Sequence, residues 1–174
     1  IDLLNLAAVA GRRVEKIIME QVAPEDIDLE RWFIDCSNAA VLEFIDGEWR
    51  FTHDKLRETL LDALPEDQRP RLHRLIGMAL EIVYPNDPGR AVLKADHFRM
   101  AGETRKQLQY LLMAARHSRA ISRHEECRRM CQEALELLTA PDEHRMATLA
   151  LLGDAYFDAA EYTESEKCYL ESLK

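Results

Sequence analysis

Apolar residues recur every three or four positions along most of this chain, a spacing that places them on one face of an α-helix. In the first 40 residues the pattern predicts three short helices, over Leu3–Ala10, Val14–Val22 and Ile27–Asn38. Gly11 follows the first as a stop signal. Later segments predict helices over Lys55–Leu64, Arg71–Tyr84, Ala91–Met100, Lys106–Ile121, Glu125–Leu138, Arg145–Ala160 and from Thr163 to the end.

One stretch interrupts the helical pattern. Val41–Ile45 and Glu48–Phe51 alternate apolar and polar residues, as half-buried β-strands do, and are joined by Asp46-Gly47. This dipeptide tolerates the positive φ angles of a two-residue hairpin turn. Three helices followed by a tight hairpin are the order of a winged-helix domain, a variant of the helix-turn-helix plan.

The C-terminal helices show an internal repeat. Seven positions there have the spacing of a tetratricopeptide repeat (TPR), a helical hairpin of about 34 residues. They are held by Leu149, Leu152, Gly153, Tyr156, Ser165, Tyr169 and Ser172. A weaker copy lies 38 residues earlier, at Leu111, Ala114, Ala115, Ser118, Cys127, Cys131 and Ala134. Small residues at these points let paired helices approach closely.

Together these patterns predict a mainly α-helical chain in three parts. Residues 1–64 form a winged-helix domain, residues 65–104 form connecting helical hairpins, and residues 105–174 form an α-solenoid of TPR-like repeats, the last one truncated. The chain opens at Ile1 without a start methionine and ends inside a predicted helix, so we expect it to be part of a larger protein.

Composition narrows the class of partner. The formal charge is −9, and residues 1–64 hold 14 acidic side chains against 7 basic ones, which argues against nucleic acid or anionic lipid as the main partner. No apolar run approaches the roughly 20 residues that cross a bilayer. The four cysteines contain no Cys-x-x-Cys pair, which favours a reducing, cytoplasmic setting.

A family resemblance lies around the hairpin. The segment FTHDKLRETL, Phe51 to Leu60, followed by Leu64-Pro65 and the helix that contains Leu72-His73, resembles the winged-helix region of signal-transduction NTPases with numerous domains. In bacterial members of this class, a P-loop ATPase core is followed by a winged helix and then by TPRs. His53-Asp54 resembles the end of their Met-His-Asp motif, with Thr52 in place of methionine.

The resemblance implies a nucleotide-sensing set of His53, Asp54 and Arg57. In the family this histidine contacts the β-phosphate of ADP bound to the core and holds the winged helix in the resting state. The residues alone leave another interpretation open: His53 caps the hairpin or helix, and Asp54 is a first-turn acid that suits the helix dipole. Arg57 then orients Asp54 or faces water.

A winged helix also raises the hypothesis of DNA binding through its third helix. That helix and its approach carry five acidic residues against Arg31 alone, whereas phosphate contacts need lysine or arginine. We therefore expect no direct DNA binding.

Two further sets of side chains come from the C-terminal helices. His124, Cys127 and Cys131 share one helical stripe and in principle ligate zinc, but the two cysteines fall on core positions of the repeat, where a thiol acts as a small apolar group. On the concave TPR surface, which binds extended peptides in the family, the predicted groove residues are Arg116, Arg119, Asp154, Phe157 and Asp158. The arginines either receive an acidic peptide or pair with the two aspartates across the groove.

The sequence predicts a regulatory role without catalysis. It contains no Gly-x-x-x-x-Gly-Lys-Ser/Thr phosphate loop and no catalytic triad. The leading hypothesis is a winged helix that senses the nucleotide state of a separate NTPase core, joined to a TPR arm that binds a protein or peptide. ADP and ATP are then ligands of the parent protein, and this chain needs no cofactor of its own. The alternatives are a TPR adaptor with a structural winged helix and, third, a DNA-binding regulator.

Overall fold

The computed structural model describes residues 2–173 and is mainly helical, with ten α-helices and one three-stranded antiparallel sheet among those residues. By their contacts these residues form two compact units. The first comprises residues up to Pro85 together with Met100–Gly102, and the second comprises Asn86–Arg99 and residues from Glu103 onward. The three segments proposed from sequence, 1–64, 65–104 and 105–174, remain predictions.

The first unit contains five helices and the sheet. In chain order its elements are α1 (Leu3–Ala10), β1 (Arg13–Val14), α2 (Lys16–Val22), α3 (Leu29–Asn38), β2 (Leu42–Ile45), β3 (Glu48–Phe51), α4 (Asp54–Ala63) and α5 (Arg69–Val83).

The short strand β1 corrects the prediction of a helix over Val14–Val22. Gly11 adopts a φ of 141°, a backbone conformation that favours glycine, and turns the chain out of α1. Arg13 and Val14 then pair with Arg50 and Trp49 of β3, which becomes the centre of a sheet ordered β1-β3-β2. Helix α2 consequently starts at Lys16.

The predicted hairpin is confirmed. Asp46 and Gly47 adopt φ angles of 54° and 82°, as a two-residue turn requires. The register pairs Leu42 with Phe51 and Phe44 with Trp49, which places the four apolar side chains on one face. Leu42 and Phe51 are buried in the core, but Phe44 at the turn is 58% exposed.

The second unit is a run of helices joined by short turns. A 3-10 helix at Pro88–Arg90 leads into α6 (Ala91–Met100), α7 (Thr104–Ala120), α8 (His124–Leu137), α9 (Glu143–Asp158) and α10 (Tyr162–Ser172). From α7 to α10 each helix packs against the next, and α7 also contacts α9. The predicted helices are confirmed within two residues at each described end, and the predicted end of the last helix, residue 174, lies outside the described residues.

The turns of the two hairpins α7–α8 and α9–α10 have the same backbone conformation. Ser122 and Ala160 adopt φ angles of 59° and 61°. The next residue donates its N–H to the fifth carbonyl back, Arg123 to Ser118 and Glu161 to Tyr156, both at about 2.8–2.9 Å. The two turns lie 38 residues apart, which is the offset of the sequence repeat.

Most of the repeat positions are buried in this unit. All seven positions of the earlier copy are buried. In the later copy Ser165 donates its hydroxyl to the Gly153 carbonyl at 2.8 Å, and a Cβ on Gly153 would lie 2.9 Å from the Tyr169 ring. Gly153 is therefore needed for close approach of α10 to α9.

Candidate functional site

The first candidate site is the junction between β3 and α4. His53 precedes α4 as its N-cap residue, and its backbone carbonyl accepts the Leu56 N–H at 3.1 Å. The Thr52 hydroxyl donates to the Ala40 carbonyl at 2.8 Å and fixes the chain that leads into this position. The imidazole is exposed, caps no backbone N–H, and has no hydrogen bond or ion pair within residues 2–173.

Asp54 lies beside this imidazole in the first turn of α4. Its carboxylate accepts the Nε of Arg12 at 3.1 Å, and both side chains are 58% exposed. An exposed pair of this kind contributes about 1 kcal/mol or less to folding. Its effect on the site is electrostatic, because Arg12 compensates a carboxylate that would otherwise repel an anion at the start of α4.

Arg57 is used elsewhere in the fold. Its Nε donates to the Ala8 carbonyl at 2.8 Å, in the last turn of α1, and the side chain is half-buried. The guanidinium therefore satisfies a helix C-terminus. Both arrangements considered for Arg57 from sequence need correction: Arg12 and not Arg57 holds Asp54, and Arg57 is not simply facing water.

The second candidate site is the predicted groove of the second unit. Arg119 in α7 makes ion pairs with both Asp154 and Asp158 in α9, the latter at 2.7 Å between Nε and Oδ2. The Tyr169 hydroxyl donates to the second oxygen of Asp154 at 2.6 Å. Three helices are thus tied together at one polar cluster. Of the two outcomes considered from sequence, the structure shows the pairing across the groove for Arg119.

This cluster shifts the titration of its members. The hydrogen bond from Arg119 lowers the pKa of Asp158 and correspondingly raises the pKa of Arg119. The hydrogen bond to Asp154 raises the pKa of Tyr169 because ionisation of the phenol would break it. All three shifts favour the arrangement seen at neutral pH.

Two groove residues stay open to a ligand. Arg116 is exposed and has no ion pair or hydrogen bond among the described side chains. Phe157 is 57% exposed, and its ring meets the edge of Tyr162 at a centroid distance of 5.5 Å. Of the predicted groove residues, Arg116 and Phe157 are therefore exposed, whereas Arg119 is paired.

The cysteine stripe of α8 lies in the core. Cys127 and Cys131 are fully buried thiols. Their mutual hydrogen bond lowers the pKa of Cys127, while that bond and burial raise the pKa of Cys131. Within residues 2–173 no three His, Cys, Asp or Glu side chains are grouped closely enough to hold a metal ion. The Nδ1 of His124 is buried without a partner.

The charges on α3 are also paired. Arg31 bonds Asp35 in the next turn at 3.1 Å, and Lys16 of α2 bonds Glu30 at 2.7 Å. The basic side chains at this surface are thus occupied by carboxylates, which leaves a helix face that is predominantly acidic.

Sequence reasoning predicted Phe157 as a groove residue but missed the rest of a third surface to which it belongs, on the α9–α10 hairpin. Phe157, Tyr162 and Leu170 are each more than half exposed there, around a shallow cleft of about 290 Å³. The 38-residue repeat was the available signal, because it gives each of these positions an equivalent in the α7–α8 hairpin.

Comparison with protein-family models, curated proteins and solved structures gave no significant match. In residues 2–173 no helix combines the length and apolarity that a membrane span requires.

Proposed function

We propose that this chain is a non-catalytic regulatory and interaction part of a larger signalling ATPase. Its first unit is a winged helix that reads the nucleotide state of a separate NTPase core, and its second unit is a TPR-like arm that binds a partner protein or peptide. ADP and ATP are ligands of the parent protein in this proposal.

The fold of the first unit supports this assignment at the level of topology. Three helices precede a tight hairpin, and strand β1 adds a third strand to the sheet without changing that order. The hairpin leads directly into the segment that carries the family resemblance, His53-Asp54 at the start of α4.

The observation that carries the proposal is the exposed, unbonded imidazole of His53 at a helix start that no side chain caps. An imidazole there can donate a hydrogen bond to a phosphate oxygen, with the α4 dipole favouring the anion. A charge-assisted bond is worth about 1.5–3 kcal/mol. Since about 1.4 kcal/mol corresponds to a factor of ten, one such bond shifts an open/closed balance by roughly ten- to a hundredfold.

The repeat register supports the interaction role of the second unit. All seven repeat positions are buried in α7–α8, four of the seven are buried in α9–α10, and the two turns share one hydrogen-bond pattern. Stacked helical hairpins of this kind form extended surfaces on which other proteins dock.

The test is His53→Ala in the full-length parent, with His144→Ala as the control, since His144 is an exposed histidine of the second unit. We expect His53→Ala to weaken ADP binding about tenfold or more and to raise basal activity, while His144→Ala changes neither. Unchanged ADP affinity and unchanged basal activity in His53→Ala would overturn the sensing role.

The second candidate function is an adaptor in which the first unit is only structural. The Arg57 bond to the Ala8 carbonyl favours it, because a residue of the proposed sensing set serves folding. The coding sequence upstream of Ile1 separates the two functions: a P-loop there supports the sensor, and its absence supports the adaptor. DNA binding, the third alternative, is disfavoured by the paired and acidic charges of α3.

A further inference from the structure

The α9–α10 hairpin carries an exposed surface whose equivalent on the α7–α8 hairpin is covered. We call it the α9–α10 surface, formed by Phe157, Tyr162, Glu166, Tyr169, Leu170 and Leu173. The 38-residue offset gives the α7–α8 equivalents of the first four as Arg119, His124, Arg128 and Cys131.

Helix α9 and the turn after it contact two of those equivalent positions, Arg119 and Arg128. Arg119 pairs with Asp154 and Asp158 of α9. Arg128 lies 5.0 Å from the centroid of the Tyr156 ring and pairs with Glu161, the residue just after the turn that ends α9. Only 15% of the Arg128 side chain is exposed as a result. Helix α9 and the turn after it therefore supply three carboxylates and the Tyr156 ring to the α7–α8 face.

The α9–α10 surface carries different side chains at the positions equivalent to that face. Phe157 replaces Arg119, and Glu166 replaces Arg128. Phe157 and Tyr162 are 57% and 62% exposed, and Leu170, at 56%, extends the apolar surface where the earlier hairpin has an exposed Gln132. Adjacent large apolar side chains in a shallow cleft are typical of an interaction site.

We infer that the α9–α10 surface binds an amphipathic α-helix of another protein, with apolar side chains toward Phe157 and a lysine or arginine toward Glu166. The exchange of Arg128 for Glu166 reverses the charge that the bound helix must carry. Because Phe157 stands where the earlier hairpin has Arg119, the bound helix needs no carboxylates equivalent to Asp154 and Asp158.

The charge of α10 separates this partner from a second copy of the chain. Glu166 is the charged residue of this surface and has no basic partner among the described residues, whereas Glu164 and Glu171 of the same helix pair with Lys167 and Arg145. Two such faces in contact would bring acidic helix against acidic helix in a chain of net charge −9. A basic helix removes that repulsion.

The test uses the 174-residue chain and a helical peptide whose sequence is based on α9. The peptide spans residues 143–162 with Asp154→Leu, Asp158→Leu and Glu161→Arg, so that it meets Phe157 with leucine and Glu166 with arginine. A lactam bridge from Glu143 to Ala147→Lys, both exposed in α9, holds it helical, because short helices are marginal in water. The control peptide is identical but keeps Glu161.

We expect the arginine peptide to bind the chain about three- to tenfold more tightly than the control peptide, by fluorescence anisotropy. Glu166→Arg should reverse this preference, and Leu170→Asp should weaken both peptides about tenfold or more. Glu136→Arg, a change at an exposed glutamate of α8, should leave the preference unaltered. Circular dichroism verifies that each variant is folded and each peptide helical.

Three outcomes would overturn the inference. They are absence of binding by helical peptides at about 1 mM, the same peptide preference in wild type and Glu166→Arg, and a dimer of the chain that Leu170→Asp converts to monomer. The inferred helix docking rests on the proposed interaction role of the second unit and not on nucleotide sensing by the first unit. Its failure therefore leaves the His53→Ala experiment unaffected, and the reverse also holds.

Discussion

The α7–α8 and α9–α10 hairpins pair their helices through residues of different size. Ala115 and Cys131 of α7–α8, both fully buried, correspond in the repeat to Gly153 and Tyr169 of α9–α10. The ring of Tyr169 occupies the space that a methyl group on Gly153 would need. Close packing thus constrains the pair of residues and not each one separately.

A second difference concerns how each hairpin meets its next neighbour. The outer side of α7–α8 presents Arg119 and Arg128 to the carboxylates of α9 and its turn. The outer side of α9–α10 presents Phe157 and Glu166. The core of the repeat is kept by size compensation, while the outer side changes in charge, and we propose that this change sets partner selectivity.

The largest predicted effect comes from exchanging the small residue of one hairpin for that of the other. Gly153→Ala places a Cβ 2.9 Å from the Tyr169 ring, which is also held by its hydrogen bond to Asp154. We expect a loss of about 1–3 kcal/mol in the free energy of unfolding, measured by urea denaturation.

The expected loss in the free energy of unfolding is opposite in direction to the usual effect of a Gly→Ala substitution in a helix. Gly→Ala inside an unobstructed helix usually stabilises by about 0.5–1 kcal/mol. The double variant Gly153→Ala with Tyr169→Cys copies the α7–α8 pair and should lose less than the sum of its two single variants. A stable Gly153→Ala protein, or strict additivity in the double variant, would contradict size compensation.

The second prediction removes the polar link between the hairpins. Arg119→Met keeps the aliphatic stem and leaves Asp154 and Asp158 without their cation. We expect a smaller loss of stability than for Gly153→Ala, since each of these side chains is about one-third exposed.

The matched control is Arg123→Met, because Arg123, the residue before α8, makes a more exposed pair with Glu126 in the first turn of that helix. It should lose less than Arg119→Met, and added salt should narrow the gap between the two variants. Equal losses in both variants would show that the link between α7 and α9 has no special role.

The same link predicts a pH dependence. Arg119 lowers the pKa of Asp158 in the folded chain, whereas an unfolded aspartate titrates near 3.9. Stability from this group is therefore present above about pH 4 and is lost as pH falls through the lowered folded value. The stability difference between wild type and Arg119→Met should shrink between about pH 4 and pH 2, as measured by urea midpoints. A difference that is constant over this range would exclude the pair as its source.

These comparisons show which features local sequence carries. The helices and the Asp46-Gly47 hairpin follow from spacing and turn chemistry, and both are present. Strand β1 does not, because two residues are too few to show alternation and its formation depends on pairing with β3. The bond from Arg57 to Ala8 joins residues 49 positions apart and has no local signal.

The candidate sites also combine features that the local sequence shows with features that depend on tertiary contacts. The repeat spacing placed Arg119, Asp154 and Asp158 on one surface but left open whether they pair or bind, since that choice depends on side-chain distances. The exposed α9–α10 surface was encoded in the same 38-residue offset. It becomes visible only when each position is compared with the contacts of its equivalent.

The smallest predicted effect tests how α9 covers α8. The Arg128 guanidinium lies 5.0 Å from the Tyr156 ring centroid, and the equivalent of Tyr156 in the earlier repeat is Ser118, which has no ring. A cation near an aromatic face gains about 0.5–1 kcal/mol at a partly exposed site. Tyr156→Leu keeps most of the apolar area, so we expect it to lower the free energy of unfolding by about 0.5–1 kcal/mol, measured by urea denaturation.

A double-mutant cycle with Arg128→Met tests the cause of this loss. Because Arg128→Met removes the cation, Tyr156→Leu should cost less stability in that background, and the cycle should give a coupling of about 0.5 kcal/mol. A coupling of zero would mean that Tyr156 acts only through apolar burial, and that the ion pairs with Glu161 and Glu125 hold Arg128 in place.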